Sequence, residues 1–256
     1  MDQHTTWFDF IPGYAGMREA LHGSLSRTWT WQVFQATNFD IVHVACALIV
    51  LAFLTFGAVR YAAAVGGSGD AGLVPPARFG LRNLFEVLAD TVLGLMAGVM
   101  GEKSAKRYLP LVGTLFIFIL FSNLLGLIPG FLPPTETLKT NLALSISVFV
   151  LSHVFGVREH GLKYFKHFLG PIWWLIPLML PIELISHVAR PVSLSMRLMG
   201  NIVGDHKLVG VFFGILPFIL PVPFMVMGVL VCVVQAVVFS LLTTVYISQA
   251  VAHEEH

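Results

Sequence analysis

A cation stands in the middle of an apolar stretch at Arg197, and its neighbours are spaced to do chemistry with it. Positions 183, 186, 190, 193, 197, 201 and 204 hold Glu, Ser, Arg, Ser, Arg, Asn and Gly. Steps of three and four keep these residues on one side of an α-helix. Between them lie Leu, Ile, Val and Met, the composition of a membrane-embedded segment. An arginine near the bilayer centre costs about 2.5–3.5 kcal/mol on insertion scales, and roughly 10–17 in simulations of an isolated helix. Such a charge persists only where it meets a partner or a wet cavity. His206 follows on the same segment and can carry a proton near neutral pH, since its unperturbed pKa is about 6.5. This stripe is the candidate site.

The elements that position this stripe follow from composition. Of 256 residues 56% are hydrophobic and only 11% are charged, with a mean hydropathy of +0.82. A soluble domain carries about 25% charged residues, so the chain reads as an integral membrane protein. A formal net charge of +1 argues against nucleic-acid binding and against a polyanionic substrate. Cys46 and Cys232 lie in apolar runs without metal-ligand spacing and read as small packing residues. The first apolar run begins near residue 41, too late for a cleaved signal peptide, so the N-terminus reads as retained.

Along the chain, residues 1–38 mix polar groups with Trp7, Phe8, Phe10, Trp29 and Trp31, which suits an extracytoplasmic or interfacial segment. A single transmembrane domain over 39–256 follows. Its expected spans are about 41–64, 108–128 and 139–157, with a final hairpin of 171–216 and 224–250. Arg82, Glu86 and Asp90 repeat every four residues within 78–100, which predicts an amphipathic helix on the membrane surface. The 46 residues from Pro171 to Leu216 would be about 69 Å long as a helix, against a hydrocarbon core of about 30 Å. That segment must be broken, with Pro177, Pro181 and Pro191 as bends, or strongly tilted. The fold class is therefore all-α membrane protein, with about five embedded helices and one surface helix. Arg60, Arg78, Arg82, Lys103, Lys106, Arg107, Arg158, Lys163 and Lys166 cluster on one side, which the positive-inside rule makes cytoplasmic. The N-terminus is then outside and the tail His253-Glu254-Glu255-His256 inside.

Pro191-Val192-Ser193-Leu194-Ser195-Met196-Arg197-Leu198-Met199-Gly200-Asn201 resembles the signature of subunit a of the F-type ATP synthase membrane sector. The last helix strengthens the resemblance with Gln235-Ala236-Val237-Val238-Phe239 and Leu242-Thr243-Thr244-Val245-Tyr246, as do Asn123, Pro133-Pro134-Thr135 and Asn141. It covers roughly residues 40–256. The resemblance implies a non-catalytic, proton-conducting stator beside a ring of c subunits with buried carboxyls, held by peripheral-stalk b subunits in a bacterial inner membrane. It implies no cofactor, no metal and no nucleotide on this chain. Arg197 would attract an ionised ring carboxylate and separate two half-channels, since its pKa above about 12 keeps it from relaying protons. Glu183, Ser186 and Arg190 would lead to the cytoplasmic exit, Asn201 and His206 would lie on the outer side, and Gln235 would face Arg197. Many bacterial relatives carry a glutamate at the His206 position and a histidine at the position of Gly228. An outer half-channel here would depend on His206, Asp205 and water.

Plainer readings compete at each residue. Arg197 could pair with Glu183, although about 21 Å of straight helix separates them. Arg190 could snorkel, Glu183 could sit at the interface, and Gln235 could bond two helices together. His43, His153 and His187 read as packing or hydrogen-bonded residues, and His253 and His256 as solvated ends. A secondary transporter would also bury charges, but no internal repeat is evident. An intramembrane hydrolase lacks HExxH and GxSxG, and no GxxxxGK[ST] phosphate loop is present.

Overall fold

The computed structural model describes residues 12, 14, 16, 41–66, 80–128, 131–161, 164, 176–215 and 221–251. The expectations for 1–38 (those three residues aside), the glycine-rich linker after Gly66, the start of the hairpin at 171–175 and the histidine tail lie outside the described residues. Among the described residues six long α-helices follow one another: α1 Ile41–Gly66, α2 Leu81–Met100, α3 Glu102–Gly126, α4 Leu138–His160, α5 Ile176–Ile215 and α6 Pro221–Val251. A short 3₁₀ turn, Pro134–Glu136, connects α3 to α4. Among the described residues there is no strand. Long runs of Leu, Ile, Val and Phe favour this outcome, because a helix satisfies every backbone N–H and C=O within itself where water is absent.

The helices α1, α2, α3, α4 and α6 are each long and apolar enough to cross a membrane. The long helix α5, which carries Glu183, Arg190, Arg197, Asp205 and Lys207, is not among these five. A helix stands where 78–100 predicts one, as α2, but its length and apolar content suit a membrane crossing rather than the surface position expected; Arg82 pairs with Glu86 at 2.8 Å one turn later. Only Gly101 separates α2 from α3, and the two pack closely together, burying Val92 and Met96. Of the two expectations for the 171–216 segment, a break or a tilt, no break is seen. Pro181 and Pro191 lie inside one 40-residue helix. At 1.5 Å per residue α5 is about 60 Å long, twice the hydrocarbon thickness, so it cannot stand upright in a bilayer.

The core forms where α2, α3, α4, α5 and α6 meet, around Met96, Phe116, Ile119, Val148, Leu198 and Phe239. One polar knot is set into it. The Thr135 hydroxyl donates to Asn123 Oδ1 at 2.6 Å, and Asn141 Nδ2 donates to the Thr135 carbonyl at 2.7 Å. All three residues are buried, so the knot ties the 3₁₀ turn to both α3 and α4. Thr135→Val keeps the shape and removes the hydroxyl, leaving the buried Asn123 carbonyl oxygen without its donor. The expected loss is about 1–3 kcal/mol, read as a lower thermal midpoint of the purified chain in detergent; an unchanged midpoint would show that the knot contributes nothing.

Candidate functional site

The hairpin of α5 and α6 carries the polar residues, and its register follows from two contacts. Asn201 Nδ2 donates to Gln235 Oε1 at 2.7 Å, and the Arg190 guanidinium lies 5.3 Å from the centre of the Tyr246 ring. From the first contact to the second the chain moves back along α5 and forward along α6, so the two helices run antiparallel. The buried positions Leu194, Leu198 and Ile202 recur every four residues on α5 and seat it against the core. The stripe from Glu183 to Gly204 lies beside that buried face, and its members do not share one fate.

Arg197 is exposed on α5. Among the described residues no side chain offers it a hydrogen bond or an ion pair. The pairing with Glu183 does not occur, since the Glu183 carboxylate lies 3.3 Å from His187 Nδ1 instead. Near Arg197 on α5, Ser193, Met196, Gly200 and Asn201 are also exposed. Gln235 is buried, and its Oε1 anchors Asn201 one turn beyond the arginine. Gln235 therefore bonds the two helices together through Asn201.

Toward the C-terminal end of α5, about 13 Å along the helix from Arg197, a second cluster forms. His206 Nε2 lies 3.0 Å from the Gly126 carbonyl oxygen, and its Nδ1 lies 3.4 Å from Glu136 Oε2. Because a carbonyl only accepts, Nε2 carries the hydrogen, which leaves Nδ1 to exchange a proton with Glu136. Gly126 permits this approach, for a Cβ there would lie 3.0 Å from His206 Nε2 and 2.7 Å from Pro133 Cγ. Asp205 faces α6, and a Cβ on Gly228 would lie 2.5 Å from its Oδ2. The carboxylate of Asp205 thus fills the space that a side chain at 228 would need.

Toward the N-terminal end of α5, about 21 Å and about 10 Å from Arg197 by helix rise, Glu183 and Arg190 turn toward a cavity of about 60 Å³ shared with α4 and α6. Ser152, His153, Tyr164, His187, Tyr246 and Gln249 complete its lining. Burial pushes the Tyr164 hydroxyl up from the usual phenol range, with the nearby Arg190 charge opposing, so it stays a neutral donor. Ser186 is exposed and does not line this cavity. The stripe expected on one face is thus divided: Glu183 and Arg190 turn inward, while Ser186, Ser193 and Arg197 face out.

Comparison with known proteins decides the family. The model of the family described as ATP synthase A chain matches residues 40–248. The chain belongs to that family. It is 52% identical over 180 residues to ATP synthase subunit a 2 of Syntrophotalea carbinolica, covering 70% of this chain and 75% of the relative. With ATP synthase subunit a 1 of the same organism it shares 49% identity over 213 residues, 82% of this chain and 86% of the relative. ATP synthase subunit a of Bdellovibrio bacteriovorus is 42% identical over 234 residues, covering 90% of this chain and all of the relative. As an ATP synthase A chain, the protein is a multi-pass membrane-sector subunit that works in proton transport and ATP synthesis with other subunits of that complex.

Several residues of the two clusters escape a sequence reading. Glu136 and Gly126 reach His206 from 70 and 80 positions away, and no periodicity announces such contacts. His187 gave a usable signal, because it follows Glu183 by four residues and the two therefore share a helix face. Tyr246 and Gln249 belong to a mostly apolar helix whose buried face emerges only once α5 is laid against it.

Proposed function

We propose that this ATP synthase A chain is the proton-conducting stator of the rotary motor. It gives two offset aqueous half-channels to a ring of c subunits, with Arg197 as the charge that separates them and, by stabilising the carboxylate, drives each arriving carboxyl to release its proton to water. The observation that carries this reading is Arg197 itself, exposed on a membrane-embedded helix and without an ionic partner among the described residues. A cation so placed in a membrane demands an opposite charge from outside the chain, and a carboxylate moving past supplies it. The polar clusters toward the two ends of α5 support the half-channels: Glu136, Asp205 and His206 on the outer side, Glu183 and Arg190 on the cytoplasmic side. Asn201 and Gln235 hold the hairpin closed between them. Ser186, on the exposed face, would meet the ring at the cytoplasmic end.

The chain itself carries out no catalysis and binds no nucleotide, cofactor or metal. Each proton falling through the membrane potential releases about 2.3 kcal/mol per 100 mV, and rotation carries that energy to subunits that make ATP. Peripheral-stalk b subunits would hold the chain against the torque. The setting is a bacterial inner membrane, with the N-terminus outside and the C-terminus cytoplasmic by the distribution of lysine and arginine.

Cysteine crosslinking tests the docking face. Val192→Cys or Met196→Cys, both exposed beside Arg197, is expected to crosslink to a cysteine placed next to the buried carboxyl of the c subunit. Val150→Cys, exposed on α4, is expected not to do so. Crosslinks from position 150 alone would put the ring on the wrong side of the molecule and end this reading.

A further inference from the structure

The cavity beside Glu183 holds a pair of histidines for which the stator reading has so far no use. His153 on α4 and His187 on α5 meet edge to face with ring centres 5.4 Å apart. Each anchors Nδ1 on the carbonyl oxygen one turn earlier in its own helix, His153 on Phe149 at 2.8 Å and His187 on Glu183 at 2.9 Å. A carbonyl accepts only, so Nδ1 is the protonated nitrogen in the neutral ring and Nε2 is the unprotonated one. Either ring can therefore gain and lose a proton at Nε2 without releasing its anchor. The cavity they line measures about 60 Å³. A water needs about 10–15 Å³ on this measure, so a short chain of waters fits.

We infer that His153 and His187 form a proton-exchange pair on the cytoplasmic side, carrying the exit path between α4 and α5 rather than over Ser186 on the exposed face. This rests on the stator reading above. A proton arriving through water adds to Nε2 of one ring and makes it an imidazolium. It then leaves from that nitrogen to water, the other ring or bulk, and the pair returns to neutral. The charged neighbours suit the passage: the Glu183 carboxylate lies 3.3 Å from His187 Nδ1, and the Arg190 guanidinium lines the same cavity. Among the described residues Tyr164 and Tyr246 are the other titratable groups facing the cavity. Simple packing would explain the edge-to-face contact, but it would not require a wet cavity with a carboxylate and a guanidinium in its wall.

The test uses inverted membrane vesicles carrying the whole ATP synthase, with ATP-driven acidification as the readout. The double variant His153→Gln, His187→Gln is expected to slow pumping about tenfold or more. His187→Ala is expected to slow it as well, and millimolar imidazole to restore much of the rate, which no purely structural role would allow. Pumping by the double variant within about twofold of the native rate would overturn the proposal. Should the variants fail to assemble, Ser152→Cys with Cys46→Ala and Cys232→Ala decides, because Ser152 lines the cavity and the histidines remain in place. Silver ion added from the cytoplasmic face is expected to block its pumping; resistance to silver would mean the cavity is closed to that side and would overturn the inference. Arg197→Ala separates the two levels. If that variant pumps normally the stator reading fails; if it is dead while the histidine variants pump normally, only this inference fails.

Discussion

Arg197→Ala is expected to abolish ATP-driven acidification while the complex still assembles. The argument is electrostatic. Arg197 makes no hydrogen bond or ion pair among the described residues and packs no core, so its removal leaves no hole and no orphaned partner within the chain. What it removes is the countercharge for a carboxylate passing through a medium of low dielectric constant. Breaking one side of such a buried pair costs about 3–5 kcal/mol, and at about 1.4 kcal/mol per tenfold this is two to three orders of magnitude in ionised carboxylate. Passive proton leak is expected to rise at the same time, since nothing then divides the outer cluster from the inner one. Arg197→Lys should retain the charge but lose the planar fork, and a buried lysine can neutralise, so it is expected to pump poorly as well. Acidification of inverted vesicles measures both variants, and a normal rate from the alanine variant would assign the arginine to structure.

The second large effect is expected at Gly228. Any side chain there enters the space held by the Asp205 carboxylate and the Leu127 methyl, at 2.5 and 2.9 Å from the new Cβ. Valine, branched at that atom, cannot rotate away. Gly228→Val should therefore push α5 from α6 and destabilise the pair by about 1–3 kcal/mol, the usual cost of overpacking. The measurement is the temperature at which the purified complex loses this chain. The collision is with one named side chain, so the second substitution Asp205→Gly is expected to restore part of the loss. A coupling of about 0.5–3 kcal/mol between the two sites would confirm that they compete for one space. Strict additivity would mean that the gap at Gly228 is filled by something other than Asp205.

The elements were readable because their cause is local. Apolar runs bounded by charge and proline give α1, α3, α4 and α6 within a few residues of where the sequence puts them, apart from the first turns of α3. There, Glu102, Lys103, Lys106 and Arg107 lie outside the expected span of 108–128, yet they begin the helix. Lys106 faces Glu102 at 3.8 Å one turn away, and Arg107 reaches Glu159 on α4 at 3.1 Å. Pro181 and Pro191 misled in the same way, offering a break in α5 that the surrounding helices do not permit. A proline removes one backbone hydrogen bond, but packing along the rest of a 40-residue helix outweighs that loss.

For the site, the sequence by itself determined the residue types and their order along α5, since a period of 3.6 fixes which positions are neighbours. It therefore placed Arg197 within one turn of Asn201, and Glu183 well to one side of both. Which of those neighbours would face out, and what would meet the rest, came only with the tertiary structure. The stripe spans enough of the helix circumference that a modest rotation turns Glu183 inward and leaves Arg197 exposed, and that rotation is set by Leu194, Leu198 and Ile202 packing into the core. Glu136 and Gly126 on His206, Asp205 in the gap at Gly228, and His153 against His187 all join residues from different elements. A helical period carries no information about such partners, because distance along the chain and distance across a bundle are independent.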